Sequence, residues 1–239
     1  ADEAMLLARR TGVPVVASAD RIAACEKLIA LDPTVQLIVC DDGMQHYRLH
    51  RDFEICVIDG ARGFGNGALL PAGPLREPPS RLSNVGAIVV NRTLSNLGGA
   101  RLAEQHSAAP MFAMTYGDES LMSLGGETMT VSEALDCWAG RKICAIAGIG
   151  HPHRFFSHLG RLGFKCSSQE GLPDHHPFLP ADINSRDADL VLVTEKDAVK
   201  LALFTDELNK PVWALRISAH LPTGFDDFLL ARAHALIAP

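Results

Sequence analysis

The chain has 239 residues, 47% of them hydrophobic, and its 22 Lys and Arg against 28 Asp and Glu leave a formal charge of −6. That length holds one large or two modest domains with a real core, and the acidic balance argues against a general phosphate-backbone binder, so no nucleic-acid partner is expected. No apolar run approaches the ~18 residues of a bilayer span, no basic-then-apolar signal segment is present, and six scattered cysteines without a C-x-x-C pair predict buried thiols in a reducing compartment rather than disulfides or zinc.

In chain order, the residues after Ala1 enter a helix at once, Val13 to Ala17 reads as a strand, Asp20 to Leu31 as an amphipathic helix and Gln36 to Cys40 as a second strand. Strand patterns follow at Glu54 to Ile58 and Val85 to Val90. Between about Thr93 and Met122 the pattern loosens into Gly, Ser, Asn and Ala, which predicts a junction and a division into domains 1–108 and 109–239, with the last helix packing back on the first. The second half predicts strands at Lys142 to Ala147, Leu190 to Val193 and Pro211 to Ile217, and helices at Pro152 to Leu162, Lys196 to Phe204 and Gly224 to Ile237. Strands alternating with helices mean an α/β fold with a largely parallel sheet.

Chemistry-bearing residues gather where predicted strands end, which is where α/β sheets bind ligands. Asp41 and Asp42 follow the apolar run Gln36 to Cys40 in the manner of a strand-tip acid that holds Mg²⁺ directly or through water; Asp-Asp-Gly is equally a turn signal. The glycine- and proline-rich stretch Asp59 to Pro78 predicts an irregular loop presenting backbone amides with Arg62 and Arg76, groups that suit phosphate. Gly148-Ile149-Gly150-His151 lacks the third glycine of a dinucleotide fingerprint, and a tight turn before Pro152 accounts for it. Asp174-His175-His176 has the residue types of acid/base catalysis and of metal-dependent phosphoesterases, although no apolar strand directly precedes it. Thr194 is an expected N-cap with Glu195 and Asp197 in the first helical turn, and Lys196 and Lys200 on that helix read either as site residues or as ordinary exposed helix lysines.

Taken together, DDGMQHYRLHRDFEICVIDGARGFGNGALLPAGPLREP, AGIGHPHRFFSHL, DHH and TEKDAVK resemble the tetraacyldisaccharide 4'-kinase family of lipid A synthesis. The resemblance covers residues 2–92 and 143–200 most closely. It implies a P-loop NTPase-like α/β/α sandwich, incomplete at its N-terminus, plus a second, smaller α/β domain. It also implies transfer of the ATP γ-phosphate to the 4'-hydroxyl of tetraacyldisaccharide 1-phosphate, with Mg²⁺, by a monomer lying peripherally on the cytoplasmic face of a Gram-negative inner membrane. By the same resemblance, Asp2 matches the family's catalytic aspartate and His175 the histidine paired with it. Asp41 and Asp42 match the acids associated with Mg²⁺ and ATP, and Gln45, His46, Arg76 and Glu77, with Arg62, fall in the segments that line the acceptor headgroup.

Two departures qualify the match. Family members carry a Gly-Gly-x-Gly-Lys-Thr P-loop ahead of the segment where this chain starts, and no Gly-Lys pair occurs here, so the polypeptide as written is expected to lack the main phosphate cradle. Met44 replaces another large apolar residue, a tolerable change of volume. The competing expectations are a module that binds the acceptor lipid without catalysis, and a metal-dependent phosphoesterase using Asp174, His175, His176 and the paired acids.

Overall fold

The computed structural model describes residues 2–91 and 103–237. Two compact units emerge, one formed by residues 1–17 with 118–218 and the other by residues 18–117 with 219–239. Each is discontinuous in sequence, so the compact units differ from a contiguous division at residue 108. The first part of the expected junction lies outside the described residues.

In the first unit, helix α1 (Asp2–Thr11) joins a parallel set of strands β5 (Ile143–Ala147), β6 (Cys166–Gly171), β7 (Leu190–Thr194) and β8 (Val212–His220). β7 pairs with β8, and β5 pairs with both β7 and β6. The sequences ICAIA and LVLVT are apolar without interruption, and β5 and the first four residues of β7 are fully buried, as expected for central parallel strands covered on both faces. Successive side chains alternate between two cores. Ile143, Ala145, Leu190, Leu192, Trp213 and Leu215 enter one, while Cys144, Ile146, Val191, Val193, Val212 and Ala214 enter the other. The first core is closed by α3 (Val131–Cys137) and α4 (Pro152–Arg161) through Ala134, Phe155 and Leu159. The second is closed by α5 (Pro180–Asn184) and α6 (Glu195–Leu201) through Ile183, Ala198 and Leu201. This is an α/β/α sandwich, flanked by the antiparallel pair of the end of β3 (Met111–Ser123) with β4 (Thr128–Thr130).

The second unit contains α2 (Arg21–Leu31), the parallel strands β1 (Ile55–Asp59), β2 (Ala87–Asn91) and the start of β3, and α7 (Phe225–Ile237). Asp20 caps α2 by accepting from the backbone amides of Ile22 and Ala23. Its core is small, with Ile58, Leu82, Val85, Ile88, Val90 and Ala103 buried. The last helix is held within this unit by aromatic packing, Phe112 meeting Phe225 at 4.8 Å and Phe228 at 5.1 Å between ring centroids.

Two expected strands do not form. Val13 to Ala17 and Gln36 to Cys40 carry no strand pairing, and Val39 is 87% exposed. An apolar run becomes a strand only where a neighbour completes the ladder, and among the described residues neither run has one. Five elements were not expected, β4 and α5 among them at only three and five residues long. β3 is interrupted by Gly117 and by Asp118 with its left-handed backbone (φ 47°). β6 reads CSSQEG because it is an edge strand, paired only with β5. The short helix α3 lies in a stretch where no helix is expected.

Candidate active site

In the first unit, α1 and the loop after β6 bring Asp2 and His175 together although 173 residues separate them, with His175 Nδ1 3.5 Å from Asp2 Oδ2. Lys200, in the last turn of α6, places Nζ 3.2 Å from the same carboxylate oxygen. Burial pushes the Asp2 carboxyl upward, and the hydrogen bonds from Lys200 and His175 outweigh it, so the group sits below the ordinary carboxylate value. His175 adopts a left-handed backbone (φ 61°), a conformation uncommon outside glycine that gathers at functional sites. An aspartate with an imidazole against it is a proton-accepting pair, and the ammonium keeps the carboxylate ionised.

Around this pair, Lys196 Nζ lies 3.3 Å from Glu3 and 3.7 Å from Asp174. Thr194 caps α6 as expected, accepting from the Asp197 amide at 3.2 Å. Asp197 is a different matter from a first-turn acid that only complements the helix dipole, because it is wholly buried. Its Oδ2 accepts from the Gly148 amide at 3.0 Å and from the Thr194 hydroxyl at 2.7 Å. The glycine of the β5–α4 turn packs closely there: a Cβ on Gly148 would sit 3.1 Å from Asp197 and from Phe178, crowding both. His176 is committed to Asp182, at 3.0 Å. Among the described residues no group of three or more His, Cys, Asp or Glu is arranged to hold a metal ion.

The second unit holds the other expected residues. Asp41 and Asp42 are exposed, on a turn rather than at the tip of a paired strand, and Asp42 has a left-handed backbone (φ 51°). Neither carboxylate enters an ion pair among the described residues. Two adjacent oxygen donors without a protein cation fit Mg²⁺, which takes one or two carboxylates and fills its remaining positions with water and phosphate. Gln45 and His46 line a cleft of about 370 Å³ together with Asp20, Arg21, Tyr47 and Arg48. Arg62 and Arg76 are exposed on the long loop. Asp59 orders the start of that loop by accepting from the amides of Ala61 and Arg62 at 3.0 and 3.1 Å.

Glu77 ties the loop to the cleft. It accepts from the Tyr47 hydroxyl at 2.6 Å and from the Gln45 amide at 2.8 Å, and Arg81 lies 3.4 Å away. The Tyr47 hydrogen bond leads in holding its carboxyl below the usual value; burial opposes, and Gln45 and Arg81 reinforce. Behind it, Glu54 is clamped between Arg51 and Arg81 at 2.5 Å each, and Arg51 also donates to the carbonyls of His46 and Leu49 at 2.7 and 3.0 Å. Tyr47, Arg51, Glu54 and Arg81 were not among the expected site residues. The charge spacings Arg51-x-x-Glu54 and Glu77-x-x-x-Arg81 were the available signal.

The sequence model of the tetraacyldisaccharide-1-P 4'-kinase family matches residues 1–234. The tetraacyldisaccharide 4'-kinase of Chromobacterium violaceum is 48% identical over 235 residues, covering 97% of this chain and 66% of that protein. That of Methylobacillus flagellatus is 41% identical over 238 residues, covering 99% of this chain and 65% of that protein. The structure also resembles the solved "apo" form of LpxK from Aquifex aeolicus in complex with ATP, with a TM-score of 0.73 and 27% identity over 97% of this chain and 68% of that one. The chain thus spans just under two thirds of the length of these curated relatives. With a family match running through both units and both clusters of polar residues, this chain belongs to the tetraacyldisaccharide-1-P 4'-kinase family.

Proposed function

We propose that the protein of which this chain is a part transfers the γ-phosphate of ATP to the 4'-hydroxyl of tetraacyldisaccharide 1-phosphate, in the synthesis of lipid A. The observation that carries the reading is the Asp2–His175 pair at 3.5 Å, in a chain whose relatives bear that kinase name. In the transfer, the sugar hydroxyl oxygen bonds to the γ-phosphorus, the bond to the ADP oxygen breaks, and the hydroxyl proton passes to the Asp2–His175 pair.

Asp41 and Asp42 would hold Mg²⁺, which when bound neutralises phosphate charge. Gln45, His46, Arg62, Arg76 and Glu77 would receive the phosphorylated disaccharide headgroup, the arginines as paired donors to its phosphate. An acylated acceptor fits a monomer working peripherally at the cytoplasmic face of the inner membrane; no helix among the described residues is long and apolar enough to cross a membrane.

The test is ATP-dependent phosphorylation of tetraacyldisaccharide 1-phosphate by this polypeptide and by a longer form carrying the Gly-Gly-x-Gly-Lys-Thr segment ahead of residue 1. Activity in either form, reduced roughly 10²–10⁴-fold by Asp2→Asn and by His175→Ala, supports the reading. No transfer by either form, or both variants turning over like wild type, overturns it.

A further inference from the structure

Lys200 has more anchoring than an ordinary helix lysine. Its Nζ lies 3.2 Å from Asp2 Oδ2, 3.6 Å from Asp197 Oδ1 and 3.2 Å from the His176 carbonyl oxygen, and 5.5 Å from the centroid of the Phe178 ring. Its side chain is 12% exposed. Fixing a lysine costs more rotamer entropy than fixing most side chains, so a lone exposed partner would not hold it. Here two carboxylates, a carbonyl and a ring face converge on one ammonium.

The anchor is the unusual part. Asp197 is wholly buried and uses Oδ2 for Gly148 and Thr194, while its Oδ1 has no hydrogen-bond partner. Lys200 is the cation facing that oxygen, three residues along the same helix. A buried carboxylate needs hydrogen bonds and a positive charge to offset its desolvation; with Oδ2 bonded to Gly148 and Thr194, Lys200 brings the charge to Oδ1, which draws the ammonium to one place. That place is against Asp2.

We propose that Lys200 is a positioning residue of the Asp2–His175 centre: tethered to buried Asp197, its ammonium holds the Asp2 carboxylate facing the His175 imidazole. The charged groups around Asp2 are Lys200, Lys196 and Asp197 on α6, Glu3 on its own helix, and Asp174 and His175 on the loop after β6. Of these, Lys200 and His175 bond to the Asp2 carboxylate directly. Asp2 is thereby the anionic member of the pair at neutral pH, and a proton taken from the acceptor hydroxyl is shared between Asp2 and His175. The kinetic consequence rests on the kinase reading, but the geometric one does not.

The experiment is an NMR titration of the Asp2 carboxyl and the His175 imidazole in this chain and in Lys200→Met and Lys200→Arg, with fold checked by amide-shift dispersion. Expected is an upward move of the Asp2 midpoint in Lys200→Met, largely restored in Lys200→Arg. In the wild-type chain, which needs no variant, the Lys200 ε-methylene resonance should titrate with the Asp2 midpoint. An Asp2 midpoint indifferent to Lys200→Met, or a Lys200 resonance blind to Asp2, overturns the proposal even if the chain proves to be the kinase. Where phosphotransfer is measurable, Lys200→Met should lower kcat roughly 10²-fold, with the KM for ATP little changed and the acid limb moved to higher pH. Absence of phosphotransfer in wild type counts against the kinase reading and leaves the titration to decide the role of Lys200.

Discussion

The Glu54 carboxylate shows how a single residue can organise a binding surface without touching a ligand. Clamped between Arg51 and Arg81 and only 11% exposed, it fixes the two arginines that in turn hold the His46 and Leu49 carbonyls and flank Glu77. Burial pushes the Glu54 carboxyl up, and Arg81 and then Arg51 outweigh it, leaving the group below its usual value. A carboxyl lowered in this way contributes stability that is fully present above its unfolded-state value and is lost as pH falls through the folded-state value. Glu54→Gln keeps the shape and removes the charge, leaving the Arg51 guanidinium without its carboxylate and Arg81 with Glu77 alone. The variant should be less stable by about 1–3 kcal/mol at neutral pH, and the gap should close in acid once wild-type Glu54 is protonated. Urea unfolding of both proteins across that range checks the sign; a gap that persists in acid would assign the loss to packing instead. At this scale the sequence was legible in part. Asp41, Asp42, Arg62 and Arg76 stand out by residue type and position after an apolar run, and His175 by residue type in Asp174-His175-His176, whereas Asp2, and its pairing with His175 across 173 residues, surface only through family resemblance. A site role for Lys200 stood beside the ordinary reading as an exposed helix lysine, and sequence alone does not decide between them because the buried Asp197 behind it is seen only in the fold.

Secondary-structure elements were legible where their burial made them so. β5 and β7 are unbroken apolar runs because both faces are covered, and their positions follow from the sequence to within a residue. The polar edge strand β6 and the glycine-interrupted β3 carry no such pattern, since one is half exposed and the other bends where Asp118 turns left-handed. Conversely, Val13 to Ala17 and Gln36 to Cys40 have strand composition but no partner among the described residues. Helix α3 was missed for being short, yet its start is marked by a capping box: the Glu133 amide donates to Thr130 Oγ1 at 3.2 Å, and the Thr130 amide donates to Glu133 Oε2 at 2.8 Å. α3 brings buried Ala134 onto the first core, and Trp138 just beyond it stacks toward Trp213 with 5.5 Å between ring centroids, so loosening its first turn should be felt by the sheet. Thr130→Ala should cost about 1 kcal/mol, within a range of roughly 0.5–2. Thr130→Ser should recover most of that by keeping the hydroxyl. Thermal and urea unfolding of the pair decides between a working cap and a decorative one.

At the scale of the whole chain the two units differ in how much core supports them. In the first, β7 has ladder partners on both sides and its side chains feed two cores; in the second, one small core serves all its strands. Residues 32–54, which include Asp41, Asp42, Gln45 and His46, form neither helix nor strand, and Leu37 and Val39 are 48% and 87% exposed. Backbone amides without ladder bonds open at nearly no free-energy cost, whereas those of central strands exchange only when the surrounding core opens. Hydrogen exchange followed by mass spectrometry should therefore find Leu190–Thr194 and Ile143–Ala147 the slowest to exchange, and residues 34–42 among the fastest. Ligand sites are commonly drawn from such low-stability segments, because ordering on binding is what the ligand's interactions then supply. If Asp41 and Asp42 carry Mg²⁺ for ATP, adding both together should slow exchange at residues 39–46, and neither Mg²⁺ alone nor ATP with excess chelator should do so. Strong protection of residues 34–42 before any addition would mean that this run already has a strand partner, and the placement of the acids on an unpaired turn would then be wrong.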